Sequence, residues 1–142
     1  MAEDSWLSGR VTRRRLPWIK PGGADQPALK RLDLPQGELA QVHDAAEGMR
    51  YLAAIELTAG TVRGNHLHRR KVEHLYVVRG ELELHVGDPE SGEDAVVSLS
   101  AGDLTVVEPG VAHALRILRD GFAIEFSPQR FDPADVVGHE LV

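Results

Sequence analysis

Apolar and polar residues alternate at every second position through much of the chain. Leu82, Leu84 and Val86 fall on one side, and Glu81, Glu83 and His85 on the other. That is the period of a half-buried β-strand. Similar short segments recur at 38–42, 49–57, 73–78, 81–86, 95–99, 104–107, 112–118 and 122–126. Breakers separate them: Gly80, Gly87-Asp88-Pro89, Gly92, Gly102-Asp103, Pro109-Gly110 and Asp120-Gly121. Segments 38–42 and 49–57 flank a turn-like 44–48, which predicts a hairpin. Gly80 and Asp120-Gly121 read as tight turns between consecutive strands. No stretch sustains a helical period. Many short strands with regular turn signals predict an all-β sandwich or barrel.

Residues 1–36 break this pattern. Pro17, Pro21, Gly22, Gly23, Pro27 and Pro35 interrupt every short apolar run, so the stretch reads as an extended N-terminal arm, with 37–142 as the β-domain. The tail from Ser127 reads as a closing strap, with a short helical turn starting at Pro133. A length of 142 residues fits one domain. No apolar run approaches the ~18 residues of a membrane-spanning helix, and the N-terminus lacks the apolar core of a secretory signal. A cytoplasmic location is the simplest reading. With no cysteine, disulfides, thiolate metal sites and cysteine nucleophiles are excluded. A formal charge of −6 argues against broad nucleic-acid binding. The one basic cluster, Arg10 to Arg15, reads as a solvated arm or a set of salt-bridge donors. Its flanking Trp6 and Trp18 are expected to dock on this domain or on a partner subunit.

Histidine changes the picture from fold to chemistry. Gly60, His66, His68, Glu73 and Gly80 form one group, with five, one, four and six residues between successive members. On a strand, residues two apart share a face, so the imidazoles of His66 and His68 emerge together. An antiparallel return brings Glu73 back beside them. In a second group, Gly102-Asp103 launches a strand and Pro109-Gly110 reverses the chain just before His113, whose imidazole can converge on the other three. Three imidazoles and one carboxylate suit a divalent transition ion: Fe, Mn, Ni, Zn, Co or Cu. Such a site carries a formal charge of about +1 and favours anionic or enolate-like ligands.

These two groups resemble the paired signature motifs of the cupin superfamily, small β-barrels of jelly-roll type. The first motif fits in full. The second fits at Gly102, Asp103, Gly110 and His113, but Glu108 stands at a position often held by proline and Ile117 at one often held by asparagine. The resemblance covers roughly 49–126 and leaves the arm unexplained. It implies that His66, His68, Glu73 and His113 are the metal ligands. The run Arg63-Gly64-Asn65-His66 is also similar to an element of cupin domains in surface-polysaccharide biosynthesis, and to a related one in nucleotide-sugar ketoisomerases and epimerases. By that likeness Arg63 is the candidate anchor for a phosphate or substrate oxygen, with Asn65 as its hydrogen-bonding neighbour.

The expectation is therefore a metal-dependent isomerase or epimerase acting on a carbohydrate or nucleotide-sugar, assembled as a homodimer. Its arm would cover a neighbour's edge strand. A metal-dependent oxygenase of a small enol or aromatic substrate is the first alternative, and a non-catalytic sugar-binding cupin the second. Glu56 and Glu125 interrupt apolar strands, and either can serve as a base in a polar barrel mouth. His85 is expected to face solvent, as are His43 and His139. His74 and Tyr76 lie on the face opposite Glu73, toward another sheet or subunit.

Overall fold

The computed structural model describes residues 3–142. Its strands are β1 (Glu3–Trp6), β2 (Val11–Arg15), β3 (Trp18–Ile19), β4 (Lys30–Leu34), β5 (Gly37–Gln41), β6 (Tyr51–Leu57), β7 (Val62–His68), β8 (Glu73–Gly87), β9 (Asp94–Ser100), β10 (Asp103–Val107), β11 (Ala112–Ser127) and β12 (Val136–Gly138). A single 3₁₀ turn, Pro133–Asp135, interrupts the tail where a helical turn was expected. No helix among the described residues is long and apolar enough to cross a membrane.

Two long strands organise the sheet. β8 and β11 pair antiparallel from Gly87↔Ala112 to His74↔Phe126. The first half of β8 also pairs with β10 and its second half with β9. The first half of β11 pairs with β7 and its second half with β6. Both strands thus pass from one layer to the other, giving a jelly-roll-like sandwich in which bends in continuous strands make the corners.

Gly80 and Asp120-Gly121 are therefore not the tight turns the sequence suggested. They are bends inside single strands, and the reason is steric. A Cβ on Gly121 would sit 1.9 Å from the Arg79 carbonyl oxygen and 2.7 Å from the Gly80 Cα, so the two backbones touch where only glycine fits. The ladder slips here, at the register shifts around Arg119 and Phe122. One consequence is a change of parity. Leu75 and Val77 join the core before Gly80, whereas Leu82, Leu84 and Val86 do so after it.

The expected hairpin across 44–48 does not form either. β5 pairs with β4, closed by Gly37, and β6 pairs with β11. The turn signal at 44–48 failed because β5 is already taken by its preceding neighbour β4 across the short turn at 35–36, while β6 is claimed by the distant β11. Residues 29–49 instead lie over the outer face of the first layer. There Leu29, Ala40, Val42 and Met49 pack against Leu16, Tyr76, Leu104 and Phe126. This face receives Tyr76 and His74, the latter stacked on Phe126 at 4.9 Å, as their position opposite Glu73 implied.

Part of the stretch read as irregular arm is regular. β2 pairs with β10, and β1 with β2. The arm thus pairs with an edge strand of its own barrel. Its arginines act as salt-bridge donors: Arg10 to Asp88 at 2.7 Å, and Arg15 to the fully buried Asp103 at 2.8 Å. Trp6 packs against the core, whereas Trp18 stays half exposed under the Arg31 guanidinium.

Candidate metal centre

The inner faces of the two layers meet at one end of the sandwich. β7 contributes His66 and His68, β11 contributes His113, and the start of β8 contributes Glu73. His113 stands directly across from His66 in the β7–β11 ladder. One ligand atom from each of the four residues falls within 4.8 Å of all the others. The convergence expected from spacing is therefore present in the fold.

Gly64 permits it. Its φ is +92°, and a Cβ there would lie 2.8 Å from the His113 carbonyl oxygen. The slip between His113 and Ala114 sits opposite this glycine and aims the imidazole inward. Asn65 follows in the left-handed region, at φ +59°. Its side chain does not line the cavity. Its Oδ1 accepts from the Leu141 and Val142 amides at 2.9 and 3.1 Å, and its Nδ2 donates to the Val142 carbonyl at 3.1 Å. The residue carried over as a substrate neighbour thus ties the tail strap to β7. Asn65→Ala is expected to cost about 1–3 kcal/mol and to speed amide exchange over 139–142. Hydrogen-exchange mass spectrometry reads this, and unchanged protection of the tail would refute it.

The electrostatics fit a cation. Glu73 Oε2 lies 2.8 Å from His113 Nε2, and Oε1 lies 3.4 Å from His68 Nε2. Yet both buried Nε2 atoms lack an aligned hydrogen-bond partner. Buried polar atoms without partners are rare enough to need an explanation. Two imidazole lone pairs aimed at shared space with a carboxylate are what a divalent ion requires. His113 Nδ1 faces the Val111 carbonyl at 3.3 Å; in the neutral ring that bond holds the proton on Nδ1 and leaves Nε2 free to coordinate. Without an ion, burial alone would lower the His113 pKa, but the neighbouring Glu73 carboxylate raises it. His68 Nδ1 lies 3.8 Å from Asp135 Oδ2. Asp135 accepts from the Arg70 and Lys71 amides, and those bonds outweigh its burial and hold it below the usual carboxylate range.

Burial, followed by the charge of His113, lowers the pKa of His66 to about 4, so it stays neutral and free to coordinate. Burial alone would raise Glu73, but the charge of His113 and the close approach of both imidazoles hold it well below its ordinary value. Glu125 moves the other way. Burial, the hydrogen bond it shares with Glu73 and the charge of Glu73 raise it to about 8.

Beside the cluster lies a cavity of about 130 Å³, lined by His66, Glu73, His113, Arg63 and Glu125 among others. Arg63 is exposed at its rim, with Nη2 donating to the Glu56 carbonyl at 3.1 Å. Of the two candidate bases, Glu125 lines the cavity. Glu56 has an exposed side chain and does not.

Two residues at this centre escaped the sequence reading. Lys71 is 4% exposed although it ends a basic run, Arg69-Arg70-Lys71, that looks like solvated surface. Asp135 sits in a tail that carries no pattern. Neither has a local signal, because their burial is decided by the strap folding back over β7.

The cupin domain family matches residues 54–126, just over half of the chain. No curated protein matches it. Among solved structures, dTDP-6-deoxy-D-glucose-3,5-epimerase from Legionella pneumophila superposes with a TM-score of 0.73 at 13% identity, over 96% of this chain and 77% of its own. A sugar 3,4-ketoisomerase from Thermoanaerobacterium thermosaccharolyticum gives 0.71 at 14% identity, over 92% and 89%. A 3,4-ketoisomerase from Helicobacter canadensis gives 0.68 at 13% identity, over 78% and 86%. At such identities the likeness is one of fold. The family match runs from within β6 to near the end of β11, the span that builds the sandwich and carries all four clustered side chains. On that ground the chain belongs to the cupin domain family.

Proposed function

We propose that this protein is a metal-dependent isomerase or epimerase acting on a carbohydrate or nucleotide-sugar. The observation that carries the reading is the pairing of functions in one cavity. A three-histidine, one-glutamate cluster with unpartnered nitrogens shares its wall with Glu125, a carboxyl whose pKa of about 8 keeps its proton near neutral pH. His66, His68, Glu73 and His113 would hold the ion. A divalent metal there would act as a Lewis acid toward a substrate carbonyl or hydroxyl and ease removal of the neighbouring C–H proton.

The chain's own groups do the rest. Glu125 is the proton-transfer group. A carboxyl raised into the neutral range can release its proton, take one from carbon and return it. Arg63, exposed at the rim with one hydrogen bond to a backbone carbonyl, has donors left to grip a phosphate or sugar oxygen. A compound of this kind is bound by a structural relative: a variant of the 3,4-ketoisomerase from Thermoanaerobacterium thermosaccharolyticum was solved in complex with TDP-4-keto-6-deoxyglucose.

Incubating metal-loaded protein with nucleotide-linked keto-sugars in deuterated water should incorporate deuterium next to the carbonyl. Glu125→Gln should slow that exchange by roughly 10²–10⁴-fold. Failure of every such sugar to exchange would sink the reading. Metal-dependent oxygen uptake would then favour the oxygenase, and saturable binding without turnover the sugar-binding module.

A further inference from the structure

Lys71 lies on the short link between β7 and β8, two residues before Glu73, and is 4% exposed. Lysine is almost never buried to that degree without a partner. Its amide donates to Asp135 Oδ2 at 3.1 Å, which pins the main chain. The ammonium then sits in a cage. Nζ lies 4.1 Å from the centre of the Tyr51 ring and 6.0 Å from that of Phe131. Facing it are two carboxyl groups, with Glu73 Oε1 at 3.7 Å and Glu125 Oε1 at 3.6 Å. Both are beyond hydrogen-bond length, so the ammonium stands between the two oxygens at nearly equal distance, held by charge toward Glu73.

The same Glu73 oxygen faces His68 Nε2 at 3.4 Å, within the candidate ligand set. A fixed cation beside a carboxylate oxygen weakens that oxygen as a donor to any second cation. With the imidazoles neutral, Glu73 supplies the negative charge an incoming dication would meet, and the Lys71 ammonium beside it offsets that charge. Glu125, meanwhile, stands just outside the four-residue cluster.

We infer that Lys71 is a positioning residue for the metal centre: it holds Glu125 out of the ligand set and competes with a bound divalent ion for Glu73. The inference rests on the reading that His66, His68, Glu73 and His113 hold such an ion. Its consequence has a counter-intuitive sign. Removing the lysine charge tightens metal binding and lets Glu125 join the ligands, whereas a purely structural role for Lys71 would make its removal loosen the site.

Cobalt(II) titration of the full chain against a competing chelator, read by visible absorption, tests this. Lys71→Met is expected to bind cobalt(II) on the order of 10-fold more tightly than wild type. Its ligand-field bands should be weaker, as a higher coordination number produces. Lys71→Arg should behave as wild type, and adding Glu125→Gln to Lys71→Met should abolish the spectral change. Equal or weaker cobalt binding by Lys71→Met overturns the inference. Should that variant not fold, Lys71→Gln, which removes the charge but keeps a polar chain, is read in its place, with the same tightening expected and equal or weaker binding overturning the inference. Absence of cobalt uptake by the wild type would instead remove the metal reading itself.

Discussion

Replacing His113 with alanine is expected to strip the protein of its divalent metal while leaving the sandwich folded. The side chain is 3% exposed, so no surface contact substitutes for it. Zinc-site binding free energies of ~10–16 kcal/mol, shared over four ligands, put one imidazole at roughly 3 kcal/mol, on the order of 100-fold in affinity. Pairing the change with His66→Ala removes half the ligand set. The fold should survive, because Glu73 keeps Lys71 as a counter-cation 3.7 Å away, and the core cluster built on Leu82, Leu84 and Ile117 does not depend on the histidines. Inductively coupled plasma mass spectrometry of protein from the native host, with circular dichroism as the control for folding, reads both arms. Near-stoichiometric metal in the wild type and none in the double variant is the expected pair of results. Equal metal in the two proteins would refute the assignment. The element found also decides chemistry: zinc favours isomerisation or binding, and iron or copper moves the oxygenase forward.

Gly121→Ala is expected to cause the largest loss of stability of any glycine substitution in the described chain. The added methyl would lie 1.9 Å from the Arg79 carbonyl oxygen, 2.4 Å from its carbon and 2.7 Å from the Gly80 Cα. All three are backbone atoms, so no side chain can swing aside. The two strands must separate at the point where both change layers. That disrupts the β8–β11 ladder on which β6, β7, β9 and β10 are all hung. A cost of about 4 kcal/mol or more follows, which lowers the melting temperature by on the order of 10–15 °C for a chain of this size. Gly48→Ala is the control. It has nothing within 4 Å of the new methyl and no unusual φ, and should stay within about 0.5 kcal/mol of wild type. Thermal unfolding followed by circular dichroism compares them, and similar midpoints for the two variants would contradict the close-approach argument.

The strand period was legible from local residues. Leu82, Leu84 and Val86 proved buried and Glu81 exposed, because alternation needs nothing beyond a two-sided strand. The convergence of the four side chains was legible for the same reason. His66 and His68 share a face by parity, Glu73 and His113 follow turns the sequence marks, and the spacing resembles a family pattern. Asn65 shows where such carry-over stops. Its place in the motif gave no hint that its amide is taken up by the tail at Leu141 and Val142.

An all-β chain, and the four side chains that could meet around an ion, were readable from the residues alone. The first follows from strand parity and turn chemistry between near neighbours; the second adds to them a motif spacing that resembles a family pattern and reaches from Glu73 to His113. Tertiary structure decided what Gly80 and Gly121 do, which strands β5 and β6 pair with, which of Glu56 and Glu125 reaches the cavity, and that Lys71 lies beneath the cluster rather than in solvent. A glycine marks a place where the chain can bend, but whether it turns back or crosses layers depends on which backbone arrives opposite. A lysine carries its charge anywhere, but only the strap over β7 and the carboxyl groups from β8 and β11 make its burial tolerable.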